Sequence, residues 1–202
     1  IGFLTAVFLA KVAPPKMKTL VESAVSLLAS IPSVVYGLVG MIVLVPAIRK
    51  IFNVPDGASL LAAIIVLAIM ILPSIIKVSL NALEAVPKEY EDASLALGAT
   101  PTETYFKVSV PAAKSGIAAA VVLGVGRAIG EAMAVMMVVG NQPRVPNSIL
   151  QGVRTLTTNI VMEMGYATDL HREALIATGV VLFAFILIIN LCFSAIKRSG
   201  KE

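Results

Sequence analysis

In the stretch GRAIGEAMAV, residues 126–135, Arg127 and Glu131 are the only ionisable residues of the run 115–140 and stand near its middle. Four residues apart on a helix, they share one face and can pair, which lowers the penalty each charge carries in an apolar medium. A guanidinium is a planar, permanently charged fork of donors suited to an oxyanion, and a neighbouring carboxylate orients it and keeps the empty site nearly neutral. The pair serves equally as an interhelical clamp, since Gly126 and Gly130 have the small-xxx-small spacing that lets another helix approach. In both cases it should face a protein bundle.

No other group of residues is equipped for chemistry. GVGRAIG, residues 124–130, has the wrong glycine spacing for a dinucleotide fingerprint and follows no strand pattern. There is no phosphate-loop lysine motif, metal-ligand cluster or nucleophile elbow. Glu131, Asp169 and His171, the candidates for an intramembrane enzyme, lie at different depths and form no acid–base set. The single Cys192 excludes an intrachain disulfide, and the single His171 cannot build a zinc site. No cofactor is expected, and any work must draw its energy from a gradient or a partner.

The elements that position the pair are membrane helices. The 202 residues are 58% hydrophobic and 14% charged, with mean hydropathy +0.94, beyond what a soluble domain carries. Runs 23–48, 57–76 and 174–196 contain no charge, and about 20 such residues suffice for a helix to cross roughly 30 Å of hydrocarbon. Run 115–140 is a fourth span if it accommodates its pair, and residues 1–10 are too short to cross alone. The chain opens without Met inside that apolar piece, which reads as a cut within a longer protein. The net charge of +4 does not point to nucleic acid, because the basic residues flank the apolar runs. Ten of them, including Lys11, Lys18, Lys107, Lys114, Lys197, Arg198 and Lys201, fall on the cytoplasmic side if the segment after the third run is cytoplasmic. Five, Arg49, Lys50, Arg144, Arg154 and Arg172, fall outside. The positive-inside rule then sets this orientation, with a cytoplasmic C-terminus.

Residues 20–48 climb through the membrane but are interrupted at SIPSVVYG, residues 30–37, where Pro32 disfavours helix at Ile31. Broken helix at membrane depth survives against protein or a water-filled cavity, so Ser30, Ser33 and Tyr36 line a path; a proline kink inside a bundle is the alternative. The next span descends to residue 76 with Pro73 near its inner end. A polar segment, residues 77–114, follows. Val86, Tyr90, Ala93, Ser94 and Leu97 place a weakly apolar stripe on one helix, and Gly98 fits its stop. TPTE, residues 100–103, supplies an N-cap hydroxyl, a proline at the first helical position and a carboxylate at the third. The helix begun there shows Tyr105 and Phe106 and should end before Pro111. Together these make a compact knob. In the outer connection, residues 141–172, Ser148 with Gln151 resembles a capping box, and Ile149, Val153, Leu156, Ile160 and Met164 form one face of a helix that Gly165 can close.

The stretch DASLALGATPTETYFKVSVP, residues 92–111, resembles the EAA loop of the membrane subunits of binding-protein-dependent ABC importers. An acid and two small residues (Asp92, Ala93, Ser94) lead by fixed spacing to Gly98, then to Val108, Val110 and Pro111. Asp92 stands for the usual Glu and Ser94 for Ala. IPSVVYGLVGMIVLVP and GRAIGEAMAVMMVVGN look like the phosphate-specific permeases of the Pst system, closer to the PstC half than to the PstA half. The resemblance covers nearly the whole chain and implies that the amino-terminal part of such a permease, its first membrane helix and the beginning of the next, is missing.

What the resemblance implies is an all-α, polytopic transmembrane bundle of the importer-type ABC permease (MetI-like) fold, a single domain over residues 1–202 in the inner membrane. It also implies a second permease, two cytoplasmic ATPase subunits, an external phosphate-binding protein and inorganic phosphate as cargo. Residues 92–106 would be the coupling region set into an ATPase groove, with Tyr105 and Phe106 as buried anchor and Glu103 at the polar rim; Gly98, Thr100 and Pro111 complete the motif. Arg127 and Glu131, with Ser33 and Tyr36, would then lie on the phosphate path. A permease for sulfate or molybdate and a non-transport membrane scaffold stay open beside this reading.

Overall fold

The computed structural model describes residues 1–199, with side chains through Phe193. In chain order the helices are α1 (Gly2–Lys11), α2 (Pro15–Ser30), α3 (Ser33–Val39), α4 (Val45–Phe52), α5 (Leu60–Glu84), α6 (Lys88–Ala96), α7 (Pro101–Thr104), α8 (Val110–Ala112), α9 (Lys114–Gly130), α10 (Met133–Val138), α11 (Leu156–Glu163) and α12 (Asp169–Ser199). Wide π-helical turns at Gly40–Leu44 and Tyr105–Ser109 join α3 to α4 and α7 to α8. Among the described residues the one β feature is an isolated bridge between Gly140 and Val153. Two compact units form, one from residues 1–30 and 71–125 and one from residues 31–70 and 126–194. The side chains of Lys197 and Arg198, and all of Lys201, lie outside the described residues.

Among the described residues three helices are long and apolar enough to cross a membrane, Ser33–Phe52, Leu60–Glu84 and Asp169–Phe193, and a fourth arises if Pro101–Ala112 and Lys114–Gly130, bent by 69°, act as one span. Their outward surfaces carry exposed large apolar side chains, among them Val180, Phe183, Phe185 and Leu191 on α12. A face of that kind promotes association in water but is compatible with lipid.

In the first unit, Ala6, Val7 and Leu9 of α1, Val25 of α2, and Ile76, Leu80 and Leu83 of α5 form a continuous buried cluster with Val86 and Ala113. Each fully buried leucine there is worth about 2 kcal/mol. Pro15 occupies the first position of α2, where its missing N–H costs nothing. The helix stops at Ser30, as expected from Pro32. Two expectations are corrected. Helix α5 does not end near Ile76 but continues through Pro73 to Glu84. The broken bond at Pro73 is tolerated because Met70 and Ile76 on either side are buried, and no water competes there for the helix's remaining bonds. Nor does the helix begun at Pro101 end before Pro111, since it runs on to Ala112.

One cause explains both π turns. Each is followed directly by Val-Pro, Val45-Pro46 after Gly40–Leu44 and Val110-Pro111 after Tyr105–Ser109. A proline in a regular helix lacks the donor for the carbonyl four residues back and clashes with it. Widening the preceding turn relieves the clash and lets the helix pass the proline with a bend.

In the second unit α3 packs on α10. A Cβ on Gly37 would stand 2.9 Å from Ala134 Cα and 2.9 Å from Met137 Sδ, so the two backbones come together as only glycine allows. Met137 can swing aside, but the Ala134 backbone cannot. Gly37→Ala is therefore expected to destabilise the folded chain by about 2 kcal/mol, read as a lower thermal midpoint in lipid or detergent.

The N-terminus of α5 is capped by chain remote in sequence. Ser59 N–H donates to Val138 O (3.0 Å), Leu60 N–H to Gln151 O (2.9 Å), Leu61 N–H to Ile149 O (2.7 Å) and Ala62 N–H to Ser59 Oγ (3.3 Å). This accounts for donors that a helix start leaves unpaired, and it corrects the reading of residues 148–164 as one helix. Residues 148–153 form turns because their carbonyls serve α5 and Val153 N–H serves Val139 O (3.1 Å). Ser148 Oγ and Gln151 Oε1 accept amides within that turn. Helix begins only at Leu156, where Thr155 and Thr158 form a capping box.

Candidate functional site

The knob belongs wholly to the first unit. Helix α6 ends in a left-handed Gly98, φ +86°, with Gly98 N–H donating to Leu95 O (2.9 Å) and Ala99 N–H to Ser94 O (3.3 Å). That is the Schellman arrangement expected of a helix-stopping glycine. Across the turn, Thr100 Oγ1 accepts Glu103 N–H (3.3 Å), and Glu103 Oε2 accepts Thr100 N–H (3.1 Å), with Pro101 at the first helical position. The predicted capping box is present in full. Ser94 Oγ lies 3.0 Å from Thr104 Oγ1, and Thr104 is buried, so a hydroxyl bridge ties α6 to α7.

The Thr100 backbone amide, reinforced by Lys107 and the Thr100 hydroxyl, holds the Glu103 carboxyl down to about 2. A carboxylate depressed in this way supports the cap above its ordinary value, and the support is lost as pH falls from there through about 2. Carboxyl titration followed by NMR should place Glu103 near 2, and Thr100→Val should move the midpoint upward.

The surface of the knob sets exposed apolar side chains among exposed charges, Lys88, Glu89, Asp92, Glu103 and Lys107. The stripe expected on α6 packs inward only at Val86; Tyr90, Ala93 and Leu97 are exposed, and α6 contains no buried residue. Leu97 is 91% exposed at the tip, Leu95 and Phe106 are also exposed, and Tyr105 is half-buried. Asp92 is solvent-facing. Leu97 was not among the expected site residues, although its place directly before the turn glycine puts it at the apex.

Arg127, Glu131, Ser33 and Tyr36 all fall in the second unit. Helix α9 stops at Gly130 and α10 begins at Met133, so Arg127 and Glu131 do not stand on one continuous helix. Arg127 is half-buried in the last turn of α9, where a cation meets the negative end of the helix dipole. The half-buried Glu131 sits in the break. Its Oε1 accepts Ala134 N–H (3.0 Å), and its carbonyl accepts the Thr157 hydroxyl (3.0 Å). The broken backbone is thus satisfied from inside the unit, as membrane depth requires. Ser33 opens α3, and Tyr36 precedes Gly37 at the α3–α10 contact.

Sequence reasoning missed a network in the outer connection. Arg154 donates from Nε to Asn141 O (3.2 Å) and from Nη1 to Glu163 Oε1 (2.9 Å). Tyr166 first, then Arg154, lowers the Glu163 carboxyl against the effect of burial. His171 Nε2 lies 3.7 Å from Glu163 Oε2. Among the described residues no group of His, Cys, Asp and Glu can hold a metal ion.

The family described as binding-protein-dependent transport system inner membrane component matches residues 2–199. The probable ABC transporter permease protein YqgH of Bacillus subtilis is 44% identical over 196 residues, covering 94% of this chain and 63% of that protein. The phosphate transport system permease protein PstC of Haemophilus influenzae is 34% identical over 202 residues, covering 91% and 64%. The chain therefore spans less than two thirds of the length of these relatives. Among solved structures, a chain of the inward-facing MetNI methionine ABC transporter, in its CY5 native crystal form, superposes with a TM-score of 0.77 at 25% identity, covering 99% of this chain and 86% of that one.

Proposed function

Because the chain belongs to the family of binding-protein-dependent transport system inner membrane components, an integral inner-membrane family of transport subunits and not of enzymes, we propose that it serves as a permease subunit of an ATP-driven phosphate importer. The observation that carries this reading is the capped two-helix knob with exposed Leu97 and Phe106 on a chain of membrane-length helices. Likeness to phosphate transport permeases at 34% identity supports phosphate as the cargo.

In this reading the whole chain acts as one permease domain, with residues 77–114 and the C-terminus cytoplasmic and residues 141–172 outside. A second permease completes the path, two ATPase subunits grip the knob, and an external phosphate-binding protein delivers the anion. Asp92, Ala93, Ser94, Gly98, Thr100, Glu103, Tyr105, Phe106 and Pro111 shape or present the docking piece. The caps on either side of the Gly98 turn and the Ser94–Thr104 bridge tie α6 to α7, so a push on the Leu97 tip is passed between the two helices. Arg127 supplies a fixed positive fork for the anion. Glu131 and Thr157 hold the broken helix around it, and Ser33 and Tyr36 line the path. ATP binding closes the partner subunits, the knob moves, and the bundle opens to the other face.

The test is reconstitution of the full-length chain with its second permease, ATPase subunits and external receptor in lipid vesicles. ATP-dependent accumulation of radiolabelled phosphate, with sulfate and molybdate excluded, is the expected result. Failure to retain the ATPase subunits, or accumulation of sulfate or molybdate in place of phosphate, would overturn it.

A further inference from the structure

One carboxylate in the first unit joins three elements. Glu91 on α6 accepts a hydrogen bond from Lys11 Nζ at the end of α1, and its Oε1 also accepts from Ser109 Oγ (2.8 Å) in the π turn ahead of α8. The Lys11 and Glu91 side chains are 11% and 19% exposed, and Ser109 is fully buried. By contrast, Lys107–Glu103 is 74% and 47% exposed, a surface pair of the kind that contributes little. Burial pushes the Glu91 carboxyl up, but the hydrogen bonds from Lys11 and Ser109 and the nearby Lys88 more than offset it, so the group is held below its ordinary value. A partly buried pair of this type persists only when its donors and acceptor are matched, and removing one partner leaves the other uncompensated.

Helix α6 has few other attachments. No residue of it is buried, and Tyr90, Leu95 and Leu97 face outward. Among the described residues its side-chain hydrogen bonds to other elements are those of Ser94 with Thr104 and of Glu91 with Lys11 and Ser109, and its backbone also lies against the π turn. The first of these ties it only to α7, which is part of the knob. Among these hydrogen bonds, those of Glu91 are the ones that reach α1 and the π turn, which leads through α8 into α9.

We infer that Lys11, Glu91 and Ser109 form a latch that passes movement of the knob to α1 and to the segment leading into α9. This rests on the reading of the knob as the piece gripped by ATPase subunits. Glu91 is a positioning residue, since it lies behind the exposed tip and not on it. With the latch cut, the knob should still be gripped and ATP still consumed, but the push should be absorbed by pivoting of α6 on its two turns.

The experiment uses the complete importer in lipid vesicles and measures phosphate moved per ATP hydrolysed, a ratio that a mere loss of folded complex does not change. Glu91→Gln and Lys11→Gln are each expected to lower the ratio about tenfold while ATPase subunits co-purify in normal amount. The exchange of charges, Lys11→Glu with Glu91→Lys, should restore at least half of it. Unchanged ratios in both single variants overturn the latch. So does an exchanged pair that assembles without recoupling, or loss of assembly in all three variants, which would make the pair a folding element. If instead the wild-type knob proves not to touch the ATPase, as shown by normal ATPase capture after alteration of its apolar tip, the functional reading beneath the latch fails, and that result is separate from the ratio.

Discussion

Replacing Arg127 with glutamine is expected to reduce ATP-driven phosphate uptake by the proposed importer, once assembled, at least about 100-fold, equivalent to roughly 2.7 kcal/mol. Hydrogen bonds from a charged donor to an oxyanion are worth about 1.5–3 kcal/mol, and a guanidinium offers two in parallel. Glutamine keeps a polar, hydrogen-bonding side chain but is two bonds shorter and has neither the charge nor the fork. Arg127→Lys keeps the charge, is compatible with the C-terminal turn of α9, and should retain an intermediate activity, about tenfold below wild type. The measurement is initial uptake normalised to assembled complex. Uptake by Arg127→Gln equal to wild type would remove Arg127 from the anion path and leave it the role of a structural clamp.

The second large effect is expected at the tip of the knob. Leu97→Glu should weaken capture of the ATPase subunits about 100-fold, in the range of a central interface residue. Leu97 is 91% exposed, so the change removes no packing within the chain, and the Gly98 turn beside it is held by backbone bonds. Loss of binding would then report a lost partner contact and not unfolding. Phe106→Glu should act in the same direction but less strongly, because Phe106 is only about half exposed. Retention of ATPase subunits through detergent purification, compared with wild type at equal permease, reads the effect. Undiminished capture by both variants would mean that the knob is not the docking piece.

How legible these features were depended on the range of the forces behind them. The stop at Gly98, the capping box of Thr100 with Glu103, and the break at Ile31-Pro32 were all visible in the sequence, because each is decided within a few residues by backbone sterics and a short side chain. The passage of helix through Pro111 was hidden, since a proline read alone signals an end and only the widened turn at Tyr105–Ser109 lets the chain continue. The outer connection misled for a different reason. Residues 148–164 have helical spacing, but the first part of that stretch is bound by its carbonyls to the start of α5. Tertiary hydrogen bonding overrode the local pattern.

By itself the sequence determined that much of this chain lives in lipid, which stretches are long enough to cross, and that a capped polar knob interrupts them, because hydropathy and capping are properties of neighbouring residues. Only the tertiary structure decided what Glu131 and Glu91 do. The spacing of Arg127 and Glu131 implied one helix face, but Gly130 ends the helix, and Thr157, 26 residues away in sequence, accepts the role of partner to the freed Glu131 carbonyl. Glu91 meets Lys11 across 80 residues of chain, a distance over which no periodicity can announce a contact. A pairing of that kind exists only once the helices have packed, since it is the packing that takes the charges out of water and makes their partners matter.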